Sequence, residues 1–410
     1  MRKLFAGLAT VVALAACQEN ISTPGDCPTL CPGEQIIVRD TTIVATLGGD
    51  STFFGYFPRA ATSVLLVSSG LPAGELRSFM VFPKQRRDSI QVDGTQRALV
   101  VDTISISFTL QARDSTAKGL TLYLHRLPIT VDTSVTFDSL QSLIAAAPAF
   151  DSIAVSDTLK VGKVEALYVG DRLALINGPE ADSGQFAVGL TLRASKPTGI
   201  RLGGGATNAT SAPLFETRGQ VDVTDTAKRR QRPSVRPDAA NRIGYVGNRD
   251  LAVGANPDLL YIGGPRAGRS IIRFVIPDFI RDSSQILRAT LELTPAGRLD
   301  GLPNNPVGDS VAVRGVTADL GAKSPPLATT GLLLKGGLGQ GTTNPTQIDL
   351  FFLVSQWQAA AGPPPVLFIA HQDEPLGGGF MQPVFYSTRS PTGQPRLRVT
   401  YGLPTRPGRP

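Results

Sequence analysis

The sequence predicts an all-β protein built of β-sandwiches with one or two short helices. It contains 25 Asp but only 8 Glu, and 31 Arg but only 9 Lys. Glu and Lys populate exposed helix faces, whereas Asp favours turns and caps, so this composition argues against a mainly helical chain. The 43 Gly and 32 Pro add turn signals without a three-residue glycine period. A hydrophobic content of 41% at a net charge of +7 excludes wholesale disorder, and the missing glycine period excludes collagen.

Short runs of alternating or β-branched residues predict the strands, and turn residues separate them. Many short strands at this spacing are typical of a sandwich or a barrel. The clearest runs in the N-terminal half are 36–45, 63–67, 98–101, 104–110 and 120–124.

Two segments have the pattern of short helices. One covers 137–147 and stops before a proline. The other covers 349–361, with Asp349 as an N-cap candidate and a glycine followed by three prolines after it. The single tryptophan, Trp357, lies on the second helix, where it either stacks on a sugar ring or faces a core.

The first 16 residues have the pattern of a secretory signal peptide. Two basic residues precede an apolar run from Leu4 to Ala16. Thirteen helical residues span about 20 Å, which is short of the roughly 30 Å hydrocarbon core of a bilayer. The segment is therefore expected to direct export and not to span a membrane.

The end of this signal resembles the lipobox of bacterial lipoproteins, on the residues Leu14-Ala15-Ala16-Cys17. The resemblance implies cleavage before Cys17 and acylation of that cysteine, which would anchor the chain to the lipid bilayer of the cell envelope. Gln18, where similar lipoproteins retained at the inner membrane have Asp, indicates the outer membrane if the host has one. An ordinary signal peptide followed by a chance cysteine is the alternative.

Residues 17–35 are expected to form a polar tether. It contains Cys27 and Cys31, for which an oxidising compartment favours a small disulfide loop. Unpaired thiols and a metal site are alternatives, but a metal needs further ligands, and the only histidines, His125 and His371, are distant in sequence. We therefore predict no metal and no cofactor.

Asp precedes Ser or Thr thirteen times, usually at the edge of a predicted strand. Such carboxylates either bind calcium in loops or close Asx-turns before a strand begins. No Asp-x-Asp-x-Asp spacing is present in the sequence, so Asx-turns are the favoured interpretation.

Residues 221–241 form a basic, Pro-containing segment that reads as a linker. Lys228, Arg229, Arg230, Arg232 and Arg236 place five positive charges in nine residues. They either dock on anionic lipid, lipopolysaccharide or acidic glycan, or they form a solvated hinge. Nucleic acid is not expected as a partner, because no stacking aromatic residues accompany the charges.

The two sides of this linker contain similar motifs in the same order, which predicts two related modules, 36–220 and 242–402, and a tail at 403–410. The matches in the first module are 77–83, 104–110, 201–205 and 214–218, and those in the second are 269–277, 288–293, 375–379 and 384–389.

The second module resembles the DNRLRE domain, a jelly-roll β-sandwich of exported bacterial proteins. The segments that carry the resemblance are 244–247, 269–274, 289–293, the Trp357 helix, 365–370, 385–389 and 395–401. The resemblance implies two tandem jelly-roll-like domains, the first matching more faintly, and a role in binding, since some family members bind acidic polysaccharide. Val275 stands where the family often has Asp, and the tryptophan-rich middle of the family is missing here.

The sequence predicts a non-catalytic, membrane-anchored binding lipoprotein whose partner is polysaccharide or another envelope component. The sequence contains no nucleophile elbow, His-Glu-x-x-His pair or Walker loop, and two histidines leave little for acid–base chemistry. A structural or adhesion scaffold is the alternative, followed by a polysaccharide lyase or hydrolase that uses paired carboxylates. The candidate ligand-binding residues are Arg269, Arg273, Trp357 and His371.

Overall fold

The computed structural model of the chain describes residues 37–55, 64–71, 74–84, 88–176, 184–205, 210–237, 242–248, 256–264, 267–296, 309–327, 334–338, 344–359, 362–371, 380 and 382–403. The signal peptide, the tether with Cys17, Cys27 and Cys31, and the tail from residue 404 lie outside the described residues.

The chain is mostly β-structure, which confirms the predicted all-β sandwich fold. Its strands are β1 (Ile37–Val44), β2 (Ser51–Phe53), β3 (Val64–Ser69), β4 (Leu76–Phe82), β5 (Ser89–Val92), β6 (Thr95–Arg113), β7 (Thr121–Leu127), β8 (Ala149–Ala154), β9 (Gly162–Val169), β10 (Phe186–Arg193), β11 (Thr198–Gly203), β12 (Leu214–Val221), β13 (Arg230–Gln231), β14 (Ser234–Val235), β15 (Ile243–Gly247), β16 (Leu259–Tyr261), β17 (Arg269–Arg273), β18 (Gln285–Leu293), β19 (Asp309–Gly315), β20 (Leu334–Leu338), β21 (Thr346–Asp349), β22 (Val366–His371), β23 (Val384–Tyr386) and β24 (Arg396–Leu403).

The helices are α1 (Phe137–Ala146), α2 (Thr226–Arg229), α3 (Asp278–Arg281) and α4 (Phe351–Trp357). Helix α1 confirms the predicted helix, with the Thr136 side chain as N-cap accepting a hydrogen bond from Ser139 N at 3.2 Å. Helix α4 is shorter than predicted. Its N-cap is Leu350 and not the predicted Asp349, although the Asp349 carboxylate accepts a hydrogen bond from Phe351 N at 2.9 Å. The described residues also contain two 3₁₀ turns, Gly170–Ile176 and Gly321–Lys323.

One pair of sheets forms what we call the second sandwich. Its strand orders are β1-β24-β18-β21 and β2-β17-β22-β19-β20. Strand β2 is an additional strand beside β17. Without it, the two sheets have the strand orders of an eight-stranded jelly roll. Ile43, Leu291 and Val399 of the first sheet pack in one core cluster with Ile272 and Ile369 of the second sheet.

The other pair of sheets forms the first sandwich, with the same topology. The order β4-β10-β7-β8 makes one sheet, to which β15 is added beside β4. In the facing sheet, β3 pairs with β11, β11 with β6, and β6 with β9. Residues 103–107 of β6 pair with β12 on one edge and with β9 on the other. Strand β12 therefore lies on the same edge of β6 as β11, further along the strand. Phe82, Phe186 and Phe215 pack with their rings 5.5–5.8 Å apart in this core.

The strand pairing differs from the module boundaries that the sequence predicts. Strand β1 lies in the predicted first module, yet all its residues from Ile37 to Val44 pair with β24 in the second sandwich. Strand β2 likewise pairs with β17. Conversely, β15 lies in the predicted second module and pairs with β4 of the first sandwich. Along the sequence, the first sandwich is therefore inserted into the second, after β1 and β2 and before the other strands of the second sandwich. Strand periodicity does not reveal this arrangement.

The described part of the basic segment, 221–237, pairs with the first sandwich. Strands β13 and β14 both pair with β12 and extend its sheet. Lys228 Nζ lies 2.8 Å from the Asp93 carboxylate, and Arg230 makes two bonds to Asp102, at 2.5 and 2.9 Å. The solvated-hinge interpretation is therefore wrong for these residues, because carboxylates of the β5–β6 hairpin and its continuation attract the positive charges.

The internal repeat is only partly reflected in the structure. Strands β4 and β17 occupy equivalent positions in the two jelly rolls, as do β6 and β18. The last matched pair does not correspond, because Leu214 and its successors in β12 pair with β6, whereas β23 pairs with β16.

Candidate functional site

A polar groove of about 640 Å³ lies on the outer face of the sheet β1-β24-β18-β21 in the second sandwich. Hydroxyl, guanidinium, carboxylate and amide groups line it, and no aromatic side chain is among its lining residues. These residues are Asp40, Thr41, Thr42, Arg288, Thr290, Glu292, Gln347, Arg398 and Thr400.

The alternation of side chains along each strand places these polar groups, apart from Thr41, on one face. Successive residues of a strand point to opposite sides of the sheet. Leu291, Leu397 and Val399 enter the core, so their neighbours Glu292 and Arg398 point outward.

Strand register brings the polar groups into rows across the sheet. Asp40 lies opposite Thr400, which on its other side lies opposite Arg288. In the next row, Thr42 lies opposite Arg398, and Arg398 opposite Thr290. Arg288 and Arg398 are thus diagonal neighbours on adjacent strands, which brings their long side chains within reach of one ligand group.

Both carboxylates of the groove already accept hydrogen bonds. Thr400 Oγ1 donates to Asp40 Oδ1 at 2.5 Å. Glu292 Oε1 accepts from Arg398 Nη1 at 3.3 Å and from Gln347 Nε2 at 3.4 Å. The Arg398 side chain is 62% exposed, so this ion pair adds little stability and leaves most of its donors available.

Arg288 is the group in the groove with the most unused hydrogen-bonding capacity. It is exposed, and no other described residue forms an ion pair or hydrogen bond with its side chain. A guanidinium has five N–H donors in a planar fork that matches carboxylate, sulfate or phosphate oxygens. The groove therefore offers donors to an anion without having to break a strong internal pair.

Two of the residues predicted from the sequence, Arg269 and Arg273, lie on β17, in the opposite sheet. Arg273 donates to both carboxylate oxygens of Asp319 at 2.6 and 2.7 Å and to Gly49 O at 3.0 Å. The hydrogen bond from Arg273 holds the pKa of the Asp319 carboxyl below its ordinary value of 3.8. The Arg269 guanidinium lies 5.4 Å from the centre of the Phe368 ring. The groove contains neither arginine.

The other two predicted residues are buried. Trp357 is 5% exposed and lies in the core of the second sandwich, with its ring 6.5 Å from that of Phe274. It has no free face for a sugar ring, so the core interpretation of this tryptophan is the one that fits the structure. His371 is 2% exposed at the end of β22, packed against the backbone of Gly263. The burial of these two side chains is incompatible with the prediction that they contact a ligand from the solvent.

The remaining histidine and several of the Asp-Ser/Thr pairs have structural partners. His125 Nδ1 lies 3.0 Å from Ala147 O, to which it donates, and Nε2 lies 3.0 Å from the Thr191 hydroxyl. Asp114 and Asp132 each accept a bond from the backbone N–H two residues ahead, both at 2.8 Å, as in Asx-turns. Among the described residues, no group of three or more His, Cys, Asp or Glu side chains is arranged to hold a metal ion.

The sequence contained the signal for the groove, but only in part. In 288–293 and 396–401 polar and apolar residues alternate, which identifies one polar face for each strand. The pairing of these strands with each other and with β1 assembles the groove, and this pairing is not encoded in the alternation.

No family model matches the chain, and no curated protein matches it in sequence. The resemblance to the DNRLRE domain therefore stays a prediction. No helix in the described part of the chain is long and apolar enough to cross a membrane.

Proposed function

We propose that this protein is an exported lipoprotein, anchored through acylated Cys17, that binds acidic polysaccharide in the groove of its second sandwich. The observation that carries the proposal is Arg288, which has no ion-pair or hydrogen-bond partner among the described residues, beside Arg398 in a groove otherwise lined by hydroxyls, an amide and already bonded carboxylates. Arginine donors match the carboxylates of an acidic sugar, and the threonine hydroxyls and Gln347 match its hydroxyl groups.

The separation of the two carboxylates supports binding over hydrolysis. Asp40 and Glu292 lie two strands apart and four residues apart along the sheet. At usual sheet spacings their backbones are about 16 Å apart. Glycosidases hold the two catalytic carboxyl groups themselves within about 9.5 Å of each other, so the Asp40 and Glu292 side chains would both have to lean toward each other to form such a pair.

Affinity electrophoresis of the purified chain tests the groove, with gels that contain polygalacturonate or neutral dextran. We expect retardation by the acidic polymer only. The double variant Arg288→Gln/Arg398→Gln should bind at least about tenfold more weakly, because each arginine provides charge-assisted hydrogen bonds. Lys118→Gln/Arg193→Gln removes the same total charge from exposed sites in the first sandwich and should have no such effect. Equal retardation of both variants would count against the groove.

The anchor is tested separately. The full chain expressed in a bacterial host should partition into the detergent phase, and Cys17→Ser should shift it to the aqueous phase. Retention of Cys17→Ser in the detergent phase would contradict acylation at this residue.

A further inference from the structure

The segment 229–236, which contains the edge strands β13 and β14, carries a row of arginine side chains on the first sandwich. The pairs between β12 and these two strands run from Gln220↔Arg230 to Phe215↔Val235 without a shift in register. Strands β13 and β14 therefore pair with β12 in one continuous register. The alternate residues of this register are Arg230, Arg232, Ser234 and Arg236. Their side chains are therefore expected on the same face of the sheet.

This register places Arg232 directly opposite Arg218 of β12. Arg218 is neutralised locally, since it donates to Glu216 and lies 3.5 Å from Glu165. Arg232 is exposed and has no ion pair or hydrogen bond to any described residue. Like charges directly opposite each other on neighbouring strands destabilise a sheet unless a counter-charge is near. Glu216 and Glu165 provide that counter-charge for Arg218 only.

The same division applies along the whole segment. Lys228 and Arg230 are neutralised by Asp93 and Asp102. Arg229, Arg232 and Arg236 are exposed and have no hydrogen-bonding or ionic partner among the described residues. The pairing of β13 and β14 with β12 fixes the segment to the sheet, and the other three guanidinium groups remain available to a ligand.

We propose that Arg229, Arg232 and Arg236 form a second binding surface, for a linear polyanion that carries carboxylate or sulfate groups. At about 3.3 Å per residue, the backbone from Arg230 to Arg236 extends over roughly 20 Å, a length that suits several repeating units of a polymer, and Arg229 lies next to it at the end of α2. Binding at a membrane surface is strengthened by apolar side chains beside the basic ones. In 222–236 no large apolar side chain is among the exposed ones, and Val223 and Val235 pack against core clusters.

This surface shares a ligand class with the proposed function but uses different residues, and it would make the chain bivalent. Two sites on one chain raise the overall affinity for a long polymer, because the second contact forms at a high effective concentration. The four proteins needed for the test are the full wild-type chain, the groove variant Arg288→Gln/Arg398→Gln, the edge variant Arg232→Gln/Arg236→Gln, and the variant that combines all four substitutions.

Retardation in gels containing polygalacturonate, dextran sulfate or neutral dextran is the readout. The edge variant should bind the polyanions about tenfold more weakly than wild type, and its retardation should depend less on salt. The charge-conserving variant Arg232→Lys/Arg236→Lys should keep most of the wild-type binding. The control variant Lys118→Gln/Arg193→Gln should retain it. A difference between polygalacturonate and dextran sulfate identifies whether carboxylate or sulfate is preferred.

The failures of the two proposals are distinguishable. If only the groove variant loses retardation, the edge surface is wrong and the groove stands. If only the edge variant does, the groove is wrong and the edge surface stands. Undiminished polyanion binding by the edge variant, together with lost binding to vesicles of anionic phospholipid, would show a membrane surface and overturn the inference. Circular dichroism of each variant excludes misfolding as the cause of a loss.

Discussion

Asp50 and Thr388 are joined by two hydrogen bonds although 338 residues separate them along the chain. Thr388 N donates to one carboxylate oxygen at 2.9 Å, and Thr388 Oγ1 donates to the other at 2.6 Å. Arg389 Nη1 adds a third bond at 3.2 Å, and Asp50 is 0% exposed. The Thr388 hydroxyl also accepts from Gly48 N at 3.0 Å. This cluster fixes the segment between β1 and β2 to the turn that follows β23.

Replacing Thr388 by valine is expected to lower the free energy of unfolding by about 1–3 kcal/mol, because it leaves a buried carboxylate with one donor fewer. It also removes the acceptor of Gly48 N. Urea denaturation measures the change. Thr400→Val is the matched control, since its hydroxyl donates to Asp40 at an exposed site, and it should change stability by no more than about 0.5 kcal/mol. Equal losses of unfolding free energy in the two variants would show that burial of the Asp50 cluster adds nothing to stability.

Two glycines of the Gly203-Gly204-Gly205 run are expected to differ sharply in their tolerance of a methyl group. A Cβ on Gly203 would lie 2.1 Å from Ser211 O, a backbone atom, whereas one on Gly205 would come no closer than 3.5 Å to another heavy atom. Gly203→Ala should therefore destabilise the first sandwich by about 1–3 kcal/mol. Gly205→Ala should unfold at nearly the wild-type temperature in a thermal melt, and a similar shift for both would refute the close approach.

The sequence was sufficient to predict most of the local structure. The run 104–110 lies in β6, and the run 120–124 lies in β7 from residue 121 onward, because their alternation reports which face of a strand is buried. Helix α1 was also predictable from its apolar pattern and its flanking proline. These features depend on residues a few positions apart.

The long-range features could not be predicted in this way. Alternation in 36–45 predicts a strand, but nothing in it indicates that β24, about 360 residues later, is its partner. The groove depends on that pairing, since Asp40 and Arg288 meet only across β24. Trp357 was a reasonable candidate for stacking as an isolated aromatic residue, and only packing against Phe274 decides its role.

The Arg273–Asp319 pair is expected to make part of the stability dependent on pH. The hydrogen bond from Arg273 lowers the pKa of Asp319 below 3.8 in the folded state. Its contribution is therefore present above that value and is lost as the pH falls through the folded-state pKa. Asp319→Asn should be less stable than wild type at about pH 6, and the difference should shrink towards about pH 2. Chemical denaturation across this range measures it, and a difference that does not vary with pH would contradict the assignment.

Ile43→Ala tests the insertion of the first sandwich into the second. Ile43 lies on β1, is 8% exposed and packs in the same core cluster as Trp357. Truncating it should destabilise the second sandwich by about 2–4 kcal/mol. Because the chain has one tryptophan, its fluorescence reports on this sandwich, and the unfolding transition that it detects should shift to lower urea. Ile37→Ala, at a residue that is 47% exposed, is the control and should shift it little. If β1 belonged to the first sandwich, as the linear module boundaries imply, Ile43→Ala would leave the Trp357 transition in place.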